Sequence, residues 1–236
     1  MRRCSWNMFS ERSKKKELLD EDNIPSKDLF QNLKELDFIN HWLGGYNISF
    51  AALKKIIKPD QKYIIADIGC GGGDTLKRIS NWNKNHSYQL DLYGIDLKPV
   101  CIEYANSNLK DDKIQFICDD YRNVFQHLKK VDIIHACLFC HHLSENELID
   151  LVKFALENQS VLVINDLERN PFAYYSIKYL TRFFSKSYLV RNDAPLSVLR
   201  GFKKKEWLSI LEKSGAAKYS VLNKWAFRHE VIIYPS

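Results

Sequence analysis

Two different periodicities divide the chain. Beginning at Ser26, the residues Leu29, Phe30, Leu33, Leu36, Ile39, Trp42 and Leu43 recur on one face of a helix, and Gly44-Gly45 ends it. A second short helix carries Phe50, Leu53, Ile56 and Ile57 and stops at Pro59. Residues 1–25, ahead of both, are polar and charged and read as a loosely ordered arm. From Tyr63 the pattern becomes short apolar runs separated by amphipathic stretches. Strands are predicted over 63–68, 90–95, 114–118, 131–138 and 161–164, with helices over 74–83, 100–109, 124–128 and 145–158. The last of these helices opens with Ser144 and Glu147 at capping-box spacing. Strands that are apolar on both faces and alternate with helices imply a parallel sheet covered on both sides, a doubly wound α/β domain.

After the fifth strand the alternation breaks. A helix rich in rings (Phe172, Tyr174, Tyr175, Tyr179, Phe183, Phe184) leads to Asn192-Asp193-Ala194-Pro195, a turn signal. A helix over 203–214, ended by Gly215, precedes two strands over 220–227 and 230–234. Arg228-His229 then forms the connecting turn of an antiparallel hairpin, with His229 exposed in it. The organisation expected is an N-terminal arm and helices over 1–58 that pack on a core domain over 59–236.

Composition narrows the class. A chain of 236 residues, 45% hydrophobic and 27% charged, makes one globular domain with an appendage. Its apolar runs fall short of the roughly 18–20 residues of a membrane-spanning helix. The start, Met1-Arg2-Arg3-Cys4, lacks the apolar stretch of an export signal, so a cytoplasmic location is expected, with Met1 and Met8 both candidate starts. Six cysteines then read as free thiols. Cys137-Leu138-Phe139-Cys140-His141 matches a haem-attachment pattern in form only, because it lies in an apolar strand and its exit loop. No metal set is expected, since a second ligand pair with finger-like spacing is missing. The net charge of +6 is dispersed, and its compact runs, Lys14-Lys15-Lys16 and Lys203-Lys204-Lys205, read as solvated helix faces rather than a nucleic-acid footprint.

The strongest chemical signal is Asp67-Ile68-Gly69-Cys70-Gly71-Gly72-Gly73-Asp74, a strand running into a glycine-rich turn and then a helix. Glycine lets backbone approach a ligand closely, and the helix start offers free N–H groups. A dinucleotide fingerprint wants Gly or Ala where Asp74 stands, and an acid there would face a pyrophosphate. An adenosine ligand with a sulfonium cation and no phosphate tolerates Asp67 and Asp74 far better. The second strand ends on Asp96, where a carboxylate can accept from a ribose diol, and the third ends on Asp119-Asp120-Tyr121, where one can accept from an adenine amino group.

These residues resemble the class I S-adenosylmethionine-dependent methyltransferases. Asp67, Gly69, Gly71 and Gly73 match the family's first motif, Asp96 its ribose acid, and Asp120 its adenine-side acid, with Asp119 one place away as an alternative. Cys70, Leu97, Tyr121 and Cys137 adjoin these positions and are expected to touch the cofactor, S-adenosylmethionine. The segment 131–143 resembles the fourth strand and following loop of small-molecule members, and the similarity spans roughly 60–166. The resemblance implies a Rossmann-like, seven-stranded, mostly parallel sheet with N-terminal helices and an acceptor-binding lid over 170–202 after the fifth strand. Aromatic residues of that lid are expected to wall an apolar pocket.

On that footing His141 and His142, just past the fourth strand, are candidates for the general base, and Asp166 for a base or substrate anchor. The expected activity is O-methylation of a small aromatic or polyketide-like acceptor in secondary metabolism. An RNA or protein methyltransferase and a non-catalytic cofactor-binding protein of the same fold are the alternatives. The partner expected is a small-molecule acceptor, with a homodimer compatible, nucleic acid disfavoured and no membrane span.

Overall fold

The computed structural model describes residues 7–21 and 23–235. Candidate start Met1 and Cys4 lie outside the described residues. The chain runs α1 (Ser26–Trp42), α2 (Tyr46–Ile56), β1 (Lys62–Ile68), α3 (Asp74–Asn83), β2 (Gln89–Asp96), α4 (Pro99–Asn108), β3 (Ile114–Cys118), α5 (Val124–His127) and β4 (Ile133–Cys137). It continues through α6 (Glu145–Glu157), β5 (Val161–Leu167), α7 (Pro171–Phe184), α8 (Tyr188–Arg200), α9 (Lys204–Ser214), β6 (Lys218–Lys224) and β7 (Arg228–Tyr234). The seven strands form one sheet in the order β3-β2-β1-β4-β5-β7-β6, parallel except that β7 runs antiparallel to both neighbours.

Alternate strand positions feed two cores. Ile134, Leu162, Ile164 and Ile233 join Leu148, Leu151 and Val152 of α6 and Trp207 and Ile210 of α9 on one face. Ile65, Ile133, Val163 and Ile232 meet Leu53 of α2 and Leu76 and Ile79 of α3 on the other. Successive side chains of a strand point to opposite faces, so both-sides-apolar strands such as β4 and β5 must sit between two helical layers. A smaller cluster joins Leu29 and Leu33 of α1 to Cys101 and Tyr104 of α4, fixing α1 across the sheet end where the strands point. The order reverses between β1 and β4, so the crevice beyond their carboxyl ends is the ligand position of an open α/β sheet.

Four sequence expectations change. The Asn192–Pro195 signal makes no turn: all four residues lie inside α8, with Pro195 in the helix interior. Asp193 explains the override, because its buried carboxylate accepts the backbone N–H groups of Leu18 and Leu19, both at 2.9 Å. The final hairpin turns at Trp225-Ala226-Phe227, with Ala226 and Phe227 at φ of 57° and 54°, rather than at Arg228-His229. Arg228, His229 and Glu230 instead begin β7 and are buried. His229, expected exposed, donates from Nε2 to the Phe202 carbonyl at 3.1 Å, and burial lowers its pKa. Third, the arm is built into the fold: Arg12 lies over the Phe202 ring and donates to the carbonyls of His141, Leu143 and Arg200. Fourth, the rings of α7 point outward, with Phe172, Tyr179, Phe183 and Phe184 all exposed; of these four only Phe184 lines a hollow, an outer groove against α1.

Among the described residues no helix is long and apolar enough to cross a membrane. Trp207 is fully buried whereas Trp225 is 79% exposed. Replacing Trp207 with alanine is therefore expected to lower the unfolding free energy in urea by about 3–5 kcal/mol, and Trp225→Ala to change it by no more than about 0.5 kcal/mol.

Candidate functional site

The turn after β1 is shaped by what crowds it. Gly69 has φ of 63°, and a Cβ there would fall 2.1 Å from Cδ2 of Phe139. Gly73, at φ of 77°, forms the left-handed cap that turns the chain into α3. Its own Cβ would collide with Phe116 at 2.5 Å. Only glycine fits these positions. The loop is then pinned to the neighbouring strand: the Cys70 N–H donates to the Ile95 carbonyl at 3.1 Å and the Gly71 N–H to Asp96 Oδ2 at 2.9 Å. Asp96 Oδ1 accepts the Lys98 N–H at 2.9 Å. Each oxygen keeps a lone pair, so the carboxylate can still accept from a diol in front of it. Burial raises its pKa against those two backbone donors.

The turn, Asp96 and the β3 and β4 ends enclose a cleft of about 400 Å³. Nine of the eleven residues predicted from sequence to hold cofactor line it: Gly69, Cys70, Gly71, Asp96, Leu97, Asp119, Asp120, Tyr121 and Cys137. Gly73 and Asp67 do not. Gly73 acts behind the loop, as described. Asp67 lies beneath it, 2% exposed, with Oδ1 2.7 Å from Nδ1 of His135. Nε2 of His135 is 2.9 Å from Ser49 Oγ, which also accepts from Asn165 Nδ2 at 3.1 Å. Sequence reasoning missed His135, because a lone histidine in an apolar strand carries no spacing signal.

At the adenine-side corner the two candidate acids are both partnered. Asp119 is held down to about 2 by His127, 2.7 Å away, and by Asn123. Asp120 caps the turn at Arg122 and is lowered chiefly by that guanidinium. At the opposite end Asp74 lines the cleft with Asp37 of α1, and burial together with the Asp37 charge pushes Asp74 up to about 7. Sequence analysis saw Asp74 as tolerable near a cation. It had no means of bringing Asp37 there, since the two lie on helices joined only by packing.

A second cavity of about 640 Å³ adjoins the cleft, and the two share Leu19, Leu36, Asn40, Leu138 and His142 as walls. Leu138 stands between them at φ of 54°, a left-handed conformation held by its N–H donating to the Asn165 carbonyl at 2.9 Å. Most of the cavity is apolar, with Ile39 from α1, Ala173, Ile177 and Leu180 from α7, and Phe227 from the hairpin turn. One end is polar and holds His141, His142 and Glu17.

Of the three catalytic candidates, the histidines line this cavity and Asp166 does not. Asp166 lies within β5 rather than after it, 1% exposed. Its Oδ1 is 2.7 Å from His141 Nδ1, and its Oδ2 accepts the His141 N–H at 3.0 Å. Although burial raises it, the charge and hydrogen bond of His141 hold Asp166 below the usual carboxylate range. Glu17, from the arm that read as loosely ordered, is a residue the sequence did not single out. It is 3% exposed, and burial pushes it up to about 7. The chemistry available is thus a cation-tolerant acidic cleft opening onto an apolar chamber with imidazoles at its inner end.

The cleft also fits the cofactor that the sequence pointed to. Glycine positions where a side chain would collide leave backbone at the cleft floor, and the acids suit a diol, an amine and a cation while disfavouring a pyrophosphate.

Residues 65–158 match the profile of the methyltransferase-domain family. A search of curated protein sequences returned no match. Among solved structures, the plantazolicin methyltransferase BpumL in complex with SAH superposes with a TM-score of 0.63 at 22% identity, covering 89% of each chain. The plantazolicin methyltransferase BamL, in complex with a triazolic desmethylPZN analog and SAH, gives 0.55 at 18% identity, over 89% of this chain and 86% of that one. The CMeT domain of the citrinin polyketide synthase gives 0.56 at 14% identity, over 79% of this chain and 50% of that one. At such identities the superpositions speak to the fold, and the profile match over the glycine turn and its acids speaks to the family. Over residues 65–158 the chain is thus similar to methyltransferase domains, carried on a seven-stranded sheet of the order β3-β2-β1-β4-β5-β7-β6.

Proposed function

We propose that this methyltransferase acts on oxygen of a small, largely apolar acceptor of aromatic or polyketide-like type. The observation that carries this reading is the 640 Å³ chamber with its imidazole end, which adjoins the cofactor cleft and shares walls with it. That volume suits a small molecule, since ligand chambers commonly span about 300–1,000 Å³. Its walls come largely from apolar side chains of α1, α7 and α8 rather than from a basic surface, which disfavours the RNA alternative.

Bound in the cleft, S-adenosylmethionine supplies a methyl group already activated on a sulfonium. The protein's share is then mainly to hold and orient, an effect worth roughly 7–11 kcal/mol in well-aligned reactions. Asp96 takes the ribose hydroxyls, the Asp119-Asp120 corner takes the adenine amine, and Asp74 with Asp37 faces the cationic end. The apolar walls seat the acceptor and exclude water. A hydroxyl must also lose its proton. In the neutral histidine, Nδ1–H of His141 donates to Asp166, which leaves the Nε2 lone pair on the chamber side as the proton acceptor. Asp166 then positions the ring and stabilises the imidazolium, as the buried partner of a catalytic histidine does.

Three outcomes are expected. Isothermal titration should find S-adenosylmethionine affinity weakened at least tenfold in Asp96→Ala, with no NAD binding to the wild type; unchanged affinity removes Asp96 from the site. Below about pH 7 the free protein keeps a proton on Asp74 that a bound cation displaces, so cofactor affinity should fall from pH 8 to pH 6, and Asp74→Asn should flatten that dependence. With an acceptor in hand, His141→Ala should lower kcat by about 10²–10⁴-fold with little change in cofactor affinity. Full turnover in both His141→Ala and His142→Ala would assign the rate to proximity alone.

A further inference from the structure

The imidazole end of the chamber has a geometry that the proton-transfer role does not exhaust. His141 Nε2 lies 3.7 Å from Glu17 Oε1, and His142 Nε2 lies 3.8 Å from Glu17 Oε2. Both rings are oriented from behind: His141 Nδ1 is 2.7 Å from Asp166 Oδ1, and His142 Nδ1 is 3.0 Å from Asp20 Oδ1. In the neutral rings those bonds use the Nδ1 protons and turn two Nε2 lone pairs toward a single carboxylate. Lone pairs facing lone pairs repel unless a cation sits between them, and the gaps of 3.7 and 3.8 Å are too long for the short hydrogen bonds a shared proton would make.

We propose that Glu17, His141 and His142 form a binding site for one divalent transition cation of the zinc class. Two imidazole nitrogens and a carboxylate are a donor set typical of open zinc sites, with bonds of about 2.0–2.2 Å that set neighbouring donors roughly 3.3–3.5 Å apart. These two gaps exceed that by a few tenths of an ångström, and one ligand atom from each of the three residues lies within 4.8 Å of the others. A carboxylate behind each ligating histidine is the arrangement that fixes the tautomer and strengthens the ligand. Arg200 Nε approaches Glu17 Oε1 at 3.8 Å, but that guanidinium is tied to the His141 and His142 carbonyls and to Asp20. Ser197 Oγ also donates to Oε1, at 2.9 Å, so Oε2 is the freer ligand atom. The ligands come from the arm and from the loop after β4, so an ion here would clamp the one to the other over the chamber.

The site goes beyond methyl transfer and does not depend on it. Ion and proton would occupy the same Nε2 lone pairs, so loading with zinc should suppress turnover of a hydroxyl acceptor while leaving S-adenosylmethionine binding intact.

Equilibrium dialysis of the full chain against zinc, with elemental analysis, tests the binding directly. One zinc per chain should be held above the background of the cysteine thiols. His142→Ala and the isosteric Glu17→Gln should each weaken it at least tenfold, and Asp166→Asn by about 10–100-fold through loss of the partner behind His141. Cobalt(II) should report the same site by visible absorption without a thiolate charge-transfer band. Circular dichroism establishes that each variant is folded. No zinc above the thiol background, equal zinc in wild type and both ligand variants, or a thiolate band on cobalt would each overturn the site. None of these results bears on whether cofactor binds or methyl is transferred, so the two readings fail separately.

Discussion

The bond between Asp67 and His135 is the point on which the cofactor end of the sheet depends. It joins β1 to β4 across the place where strand order reverses, and through Ser49 and Asn165 it reaches α2 and β5. A pair this deeply buried is a poor source of net stability, because two polar groups must give up water to form it. Its effect is geometric. β1 and β4 are adjacent parallel strands whose register sets Asp67 opposite His135, and this polar link directly under the glycine turn fixes the two strand ends that lead into the turn and into Leu138. Arg228 extends the chain of contacts, donating to Asn165 Oδ1 at 3.3 Å, so the antiparallel strand is tied into the same floor.

Above that floor the site is made by two kinds of element. The cleft belongs to strand ends, which the sheet holds rigidly. The chamber belongs mainly to helices and the arm, which pack from outside: α1, α7 and α8 each give one face, and the arm adds Glu17 and Leu19. Rigid placement suits a cofactor that is the same in every turnover, whereas walls built from surface helices can vary from one relative to another without disturbing the sheet.

How much of this was legible in the sequence follows from where each signal resides. The strands, the glycine turn and the acids at the ends of β2 and β3 are local: periodicity, spacing and one motif place them, and nine of the eleven expected cofactor residues do line the cleft. The failures share one cause. Asn192-Asp193-Ala194-Pro195, Arg228-His229 and the arm around Glu17 are polar stretches, and their polarity read as turn or loose arm. In the folded chain each holds a buried polar residue satisfied by something distant: Asp193 by the arm's N–H groups, His229 by the Phe202 carbonyl, Glu17 by Ser197. A hydropathy pattern records the cost of burying a polar group and is blind to the partner that offsets it. The rings of α7 show the converse, since an aromatic run implied an inward face and the helix turns most of it to solvent.

The arm's anchoring has a consequence for assembly. Arg12 bonds to the carbonyl of Arg200, 188 positions later, and Glu17 meets Ser197 across 180. Contacts of such separation are the most expensive to close in loop entropy and are rewarded only once the intervening structure exists. On a ribosome the arm emerges first, yet its docking surface is nearly the last to be made. The first five strands, which carry the cofactor crevice, precede α8 in the chain, so they can be in place while the chamber still lacks a wall. Competence to hold cofactor and competence to enclose an acceptor are therefore separate events in the life of each new chain.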